Sequence, residues 1–215
     1  MTGIISGSGS NVAALTKLGG GTWTLSNANN TYTGETTVSG GKLVVDGNIS
    51  TSVLTNVNDT ATLGGIGTTG AVTVLNGGTL APGSSAGTLT VSGALTLNSL
   101  SKLAFELNPT DYAIGSGFND LIIGVNGLTL DGLLTVTATS GSFASVTSGT
   151  WRLMNYSGTF TNNTLAFDSM PALASGYSWA LDTSTAGQVN ITVIPEAHAA
   201  LLGGIGMLLL LRRRR

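Results

Sequence analysis

The sequence holds one histidine, His198, and no cysteine. A Ser-His-Asp triad, a histidine-ligated metal and all thiolate chemistry therefore lack a necessary member in the body of the chain. Cleaving a polysaccharide would need clustered carboxylates, or a carboxylate beside a basic group. Glu35, Asp46, Asp59 and Glu106 are scattered instead. Gly65-Ile66-Gly67-Thr68-Thr69-Gly70 matches a dinucleotide-binding turn letter for letter. Such a turn must lead into a helix N-terminus, whereas Ala71-Val72-Thr73-Val74 alternates as a strand does. Asn56, Asn58 and Asp59, or Asn119 and Asp120, are residue types that ligate calcium together with backbone carbonyls, but solvated turn residues are the simpler reading. The expectation is a protein that is not an enzyme, with no catalytic residues, no cofactor and no metal.

Binding is the remaining chemistry. Thr-x-Thr pairs stand at Thr22/Thr24, Thr31/Thr33, Thr60/Thr62, Thr88/Thr90, Thr135/Thr137 and Thr137/Thr139. Stacked on one flat face, they would lie along a glycan or ice. Thr is also the favoured outward residue of an uncharged sheet, and only a shared column would make the pairs a surface. Nucleic acid is excluded by charge. Up to residue 194 the cations are Lys17, Lys42, Lys102 and Arg152, against nine acids, too few to neutralise a run of phosphates.

Strands must position these residues. Gly, Thr, Ser and Asn make up nearly half of the 215 residues, yet 41% of the chain is hydrophobic, which argues for a packed core over a flexible linker. Before residue 195 no run keeps helical apolar spacing. Short segments alternate Thr with Leu or Val, as in Val72-Thr73-Val74-Leu75, Thr88-Leu89-Thr90-Val91 and Leu133-Leu134-Thr135-Val136-Thr137. That is the period-2 pattern of strands with one buried face, punctuated by Gly-Gly, Asn-Gly and Ser-Gly turns. The fold class is all-β.

A unit of Val, turn and Leu recurs from Val38, Val57, Val74, Val91 and Val125, at steps of 19, 17, 17 and 34 residues. A period near 17 suits one coil of a parallel β-helix. At most seven coils, about 4.8 Å apart, would make a rod roughly 30 Å long. Residues 133–194 leave this period. Trp151 to Tyr156 and Tyr177 to Leu181 read as aromatic-rich strands, the second leading into a hairpin with Gln188 to Val193. The expected organisation is an incomplete N-terminal repeat or linker (1–14), β-helix repeats (15–132), a C-terminal β cap (133–194) and a tail (195–215).

Lys17-Leu18-Gly19-Gly20-Gly21-Thr22, Asn30-Thr31-Tyr32-Thr33-Gly34 and Thr36-Thr37-Val38 together resemble the autotransporter-associated β-strand repeat. That resemblance covers roughly residues 15–132. It implies a right-handed parallel β-helix in a bacterial surface or secreted passenger. Trp23 stands where Leu is usual.

The tail resembles a second signal. Pro195 and Glu196 precede an uncharged run containing Ala199, Leu201, Leu202, Ile205, Met207, Leu208, Leu209, Leu210 and Leu211, and then Arg212, Arg213, Arg214 and Arg215. This order is similar to the PEP-CTERM sorting signal: a Pro-Glu motif, a short transmembrane helix and a cytoplasmic basic cluster. It implies processing by an exosortase-type membrane enzyme of Gram-negative bacteria. Ala197 stands where a second Pro is usual. Independently of that likeness, Ala197 to Leu211 would reach about 22 Å as a helix, short of about 30 Å of hydrocarbon, while the positive-inside rule holds the arginines in the cytoplasm. No secretion signal opens the chain, which reads as the tail of a longer surface protein. The expected function is a secreted or cell-surface structural or adhesive β-helix, touching envelope or matrix polysaccharide. Glycan or ice binding through threonine faces is the alternative, with a polysaccharide-acting enzyme behind it.

Overall fold

The computed structural model describes residues 1–7, 12–114 and 117–196. Among these, every regular element is a strand, and no helix is long and apolar enough to cross a membrane. The expected transmembrane helix, Ala199 to Leu211, and Arg212 to Arg215 lie outside the described residues.

The strands stack in three parallel columns, the winding of a β-solenoid. The first column holds β1 (Leu15–Lys17), β3 (Thr36–Val38), β6 (Thr55–Val57), β9 (Val72–Val74) and β12 (Leu95–Leu97). It continues through the second halves of β14 (Leu121–Leu130) and β16 (Thr150–Asn162). The second column holds β2 (Thr22–Leu25), β4 (Gly41–Val45), β7 (Ala61–Gly65), β10 (Thr79–Pro82), β13 (Lys102–Leu107), β15 (Leu133–Ala138) and β17 (Ala166–Ser169). The third holds β5 (Asn48–Ile49), β8 (Thr68–Thr69), β11 (Thr88–Val91) and the first halves of β14 and β16. The parallel columns therefore run on past residue 132. They end against β18 (Tyr177–Asp182) and β19 (Gln188–Pro195), an antiparallel hairpin that pairs with β16. The hairpin read from Tyr177 and Gln188 onward is thus present.

Alternation places the core. Val38, Val57, Val74 and Leu97 stack in register inside the first column, and Leu43, Leu63, Leu80, Leu103 and Leu134 inside the second. All are buried, each worth about 1.5–3 kcal/mol of transfer free energy. The 17-residue period needs correction. Along the first column Leu15, Thr36, Thr55, Val72, Leu95, Leu128 and Phe160 succeed one another, steps of 21, 19, 17, 23, 33 and 32 residues. Val91 does not stack on Val74; it belongs to the third column, over Thr69. Turns differ in length from coil to coil, and packing holds the strands in register regardless.

The repeat-like residues at the N-terminal end are structural. Lys17 is fully buried, and its Nζ donates to the carbonyls of Leu18, Gly19 and Gly40 at 2.7–2.9 Å, 5.6 Å from the ring of Trp23. Tyr32, Thr36 and Ser52 form a buried hydroxyl chain ending on the Gly34 carbonyl. Residues 1–5 lie beside this first coil: Met1 bonds through its ammonium to the Thr24 carbonyl and through its own carbonyl to the Ser26 amide, and Thr31 donates to the Ile5 carbonyl.

Candidate functional site

Pro195 ends β19 opposite Tyr177, and the Glu196 amide donates to the Gly176 carbonyl at 2.8 Å. Both residues are exposed, so the Pro-Glu pair sits at the edge of the closing hairpin. The remaining tail positions fall outside the described residues, including His198.

The Thr-x-Thr pairs do not share a column: Thr22/Thr24 and Thr135/Thr137 lie in the second, Thr88/Thr90 in the third. A different set aligns. The single outward residue of each first-column strand forms one row, Thr16, Thr37, Asn56, Thr73, Thr96, Thr129 and Thr161. Seven rungs spaced about 4.8 Å apart carry hydroxyls or an amide over about 29 Å. Leu54, Ala71 and Ala94 run along one side, their carbonyls accepting the Thr36, Thr55 and Val72 amides. Ser39, Asn58, Leu75 and Asn98 run along the other, their amides extending the ladder to Lys17, Val38, Val57 and Val74. Outward positions of the second column instead include Lys42, Val44, Gly64, Ala81, Lys102, Ala104 and Glu106, so a row of threonines interrupted only by Asn56 distinguishes the first column from the second. Only the register reveals it, because the coils differ in length.

A second place was missed by sequence reasoning. The outward floor of the second column narrows to Gly64, Ala81 and Ala104, in successive coils. The Lys42 side chain lies over Gly64, and over Ala81 and Ala104 opens a cleft of about 160 Å³, bordered by Lys42, Glu106, Asp120 and Thr135. Asp120 is buried. Its Oδ1 accepts the Gly87 amide at 2.9 Å and its Oδ2 the Glu106 amide at 2.7 Å. Burial pushes its carboxyl up from 3.8 to about 7; the two amide bonds and Lys42 act against this, and Glu106 adds to it. Neighbouring Asn119 is also buried, accepting from the Asn108 amide at 2.7 Å and donating to the Asp111 carbonyl at 2.8 Å. The solvated-turn reading of Asn119 and Asp120 is thus corrected: Asn119 is tied to Asn108 and Asp111, and Asp120 to Gly87 and Glu106 of the coils. Asn56 takes its place in the threonine row. Among the described residues no three His, Cys, Asp or Glu gather as metal ligands.

The Gly65–Gly70 segment passes from β7 to β8, a strand rather than a helix following the turn. Gly67 packs so closely on the Gly47 carbonyl of the coil before it that a Cβ would collide. Close backbone approach between coils accounts for the glycines.

Comparison with known proteins places these features in a context. Residues 15–45 match the Passenger-associated-transport-repeat family. Over 146 residues, 62% of the chain, the sequence is 43% identical to the adhesin BmaC autotransporter of Brucella suis biovar 1, of which this stretch is 4%. Over 77 residues, 36% of the chain, it is 44% identical to an extracellular serine protease of Serratia marcescens, of which this is 7%. The chain thus spans a small fraction of the length of the curated relatives it matches. The repeat match covers the Lys17 turn and, of the buried hydroxyl chain, Tyr32 and Thr36.

Proposed function

We propose that this chain is a non-enzymatic, adhesive segment of a bacterial surface protein, a right-handed β-helix that meets envelope or matrix polysaccharide along its first column. The threonine row carries this reading. It is uncharged, in register along seven rungs and part-exposed or exposed throughout, and each threonine offers a hydroxyl to hydrogen-bond and a methyl to cover an apolar ring face. Ice is the weaker occupant, because the rows on either side are not threonine. Likeness to an adhesin supports the surface role; likeness to a protease over a shorter stretch brings no histidine into the body of this chain. Pro195, Glu196, the run from Ala199 to Leu211 and Arg212 to Arg215 would place the protein in the membrane for an exosortase-type enzyme.

In a Gram-negative host making the protein behind an added export signal, Thr73→Glu with Thr96→Glu should abolish attachment of cells to a polysaccharide-coated surface while leaving envelope levels unchanged. Replacing Arg212 to Arg215 by Ser should shift the protein into the medium or leave it unprocessed, since each Arg costs roughly 2.5–3.5 kcal/mol at a helix centre. Unchanged attachment would remove the adhesive row. Unchanged mass and location of the arginine variant would make the tail an ordinary hydrophobic end.

A further inference from the structure

We propose that the cleft over Ala81 and Ala104 is a binding site for one neutral pyranose unit of a glycan. It lies on the second column, on a different face from the threonine row, and does not depend on that row binding anything.

The chemistry of the walls selects the ligand. An anion would meet Glu106 and the buried Asp120 carboxyl; a metal ion or an ammonium group would meet Lys42, whose side chain crosses Gly64 toward the cleft. A purely apolar ligand would leave these groups desolvated and unpaired. A polyol satisfies all of them: the carboxylate of Glu106 accepts hydroxyl protons, the Lys42 ammonium donates to hydroxyl or ring oxygens, and the Thr135 hydroxyl, which donates to Asp168 Oδ2 at 3.4 Å, accepts. The floor explains the shape. Ala81 and Ala104 are small outward residues of successive coils, and the Lys42 stem fills the space over Gly64 beside them, so the sheet face is hollow over the alanines and offers a shallow apolar bed to a ring. Apolar lining with a few converging polar groups is the usual composition of a small-molecule site. Asp120, held by two backbone amides, is rigid before any ligand arrives. The high proton affinity of its carboxyl also fits a group that can face a neutral ligand without a full charge.

The test uses the full chain in titration calorimetry with cellotetraose and mannotetraose, and with tetragalacturonate as the anionic control. Ala104→Leu fills the floor without touching the Asp120 tether, and Glu106→Gln removes the charged acceptor. The expected result is binding of at least one neutral tetrasaccharide, with tetragalacturonate and both variants weaker by about tenfold or more, at unchanged melting temperature. Thr73→Glu with Thr96→Glu should bind as the parent does, which separates this site from the row. No binding of either neutral sugar by the parent, equal binding by Ala104→Leu, or a preference for the uronate would overturn the proposal. If Ala104→Leu melts early, Glu106→Gln decides alone, and parent-like affinity in that variant overturns it.

Discussion

Asp120 carries the clearest energetic signature of any single side chain. A carboxyl whose folded pKa is raised favours the folded state while it is protonated. Its stabilising contribution is complete below the unfolded value of 3.8 and is lost as pH rises through about 7. The loss should amount to no more than roughly 4.5 kcal/mol, at about 1.4 kcal/mol for each pH step between the two values. The groups facing it are Lys42 and Glu106. Urea melts of the parent between pH 4 and pH 8 should show stability falling across that range. Asp120→Asn should flatten this part of the profile and be less stable at pH 4. Its amide nitrogen cannot accept, so one of the Gly87 and Glu106 amides would lose its partner. A variant with the parent's pH slope would show that the slope comes from other groups. His198, Glu35 and the scattered acids invite attention in the sequence, whereas Asp120 looks like any turn residue until its neighbours are known.

Turns set the geometry of each coil, and glycine is needed only at some of them. Gly41 opens β4 with a φ of 63°, and a Cβ there would strike the Gly21 and Gly19 carbonyl oxygens of the preceding coil. Gly20, one residue from that contact, has open space where its Cβ would be. Gly41→Ala should therefore destabilise by more than about 2 kcal/mol, combining a left-handed backbone with a steric clash. Gly20→Ala should stay within about 0.5 kcal/mol of the parent. Chemical denaturation of the pair checks this, and equal effects would mean that the coils are not in the stacking described. A run of three glycines, Gly19 to Gly21, reads as one flexible turn; which carbonyls face the next coil depends on how the coils stack.

Across the whole molecule, contacts are made between neighbouring coils, so stability need not be uniform along the axis. The N-terminal coil consists of strands of three and four residues, and Trp23 remains 39% exposed there. At the other end, Trp151 is buried among Tyr112, Phe143 and Trp179, with ring centroids 4.9–5.4 Å away. Its indole N–H donates to the Asn108 carbonyl at 2.8 Å. Long β14 and β16 and the antiparallel β19 close around this cluster. Amide hydrogen exchange read by mass spectrometry should therefore show β1 to β4 exchanging well before β14, β16 and β19. Simultaneous exchange at both ends would point to a single cooperative unit instead.

The all-β class, the inward Val and Leu, the outward Thr and the closing hairpin from Tyr177 were all legible in the chain. Period-2 alternation and turn residues are local properties, and a strand must bury its apolar face whatever it pairs with. Which strands become neighbours was not legible. The coils advance by 17 to 33 residues, so a constant repeat put Val91 in the wrong column and left the row from Thr16 to Thr161 unseen. Inserting residues in a turn lengthens the sequence step without moving the next strand, because hydrogen bonding and core packing set the register. The threonine row, and the meeting of Lys42, Glu106 and Asp120 over a floor of Ala81 and Ala104, exist only through that register, so the tertiary structure alone decided them.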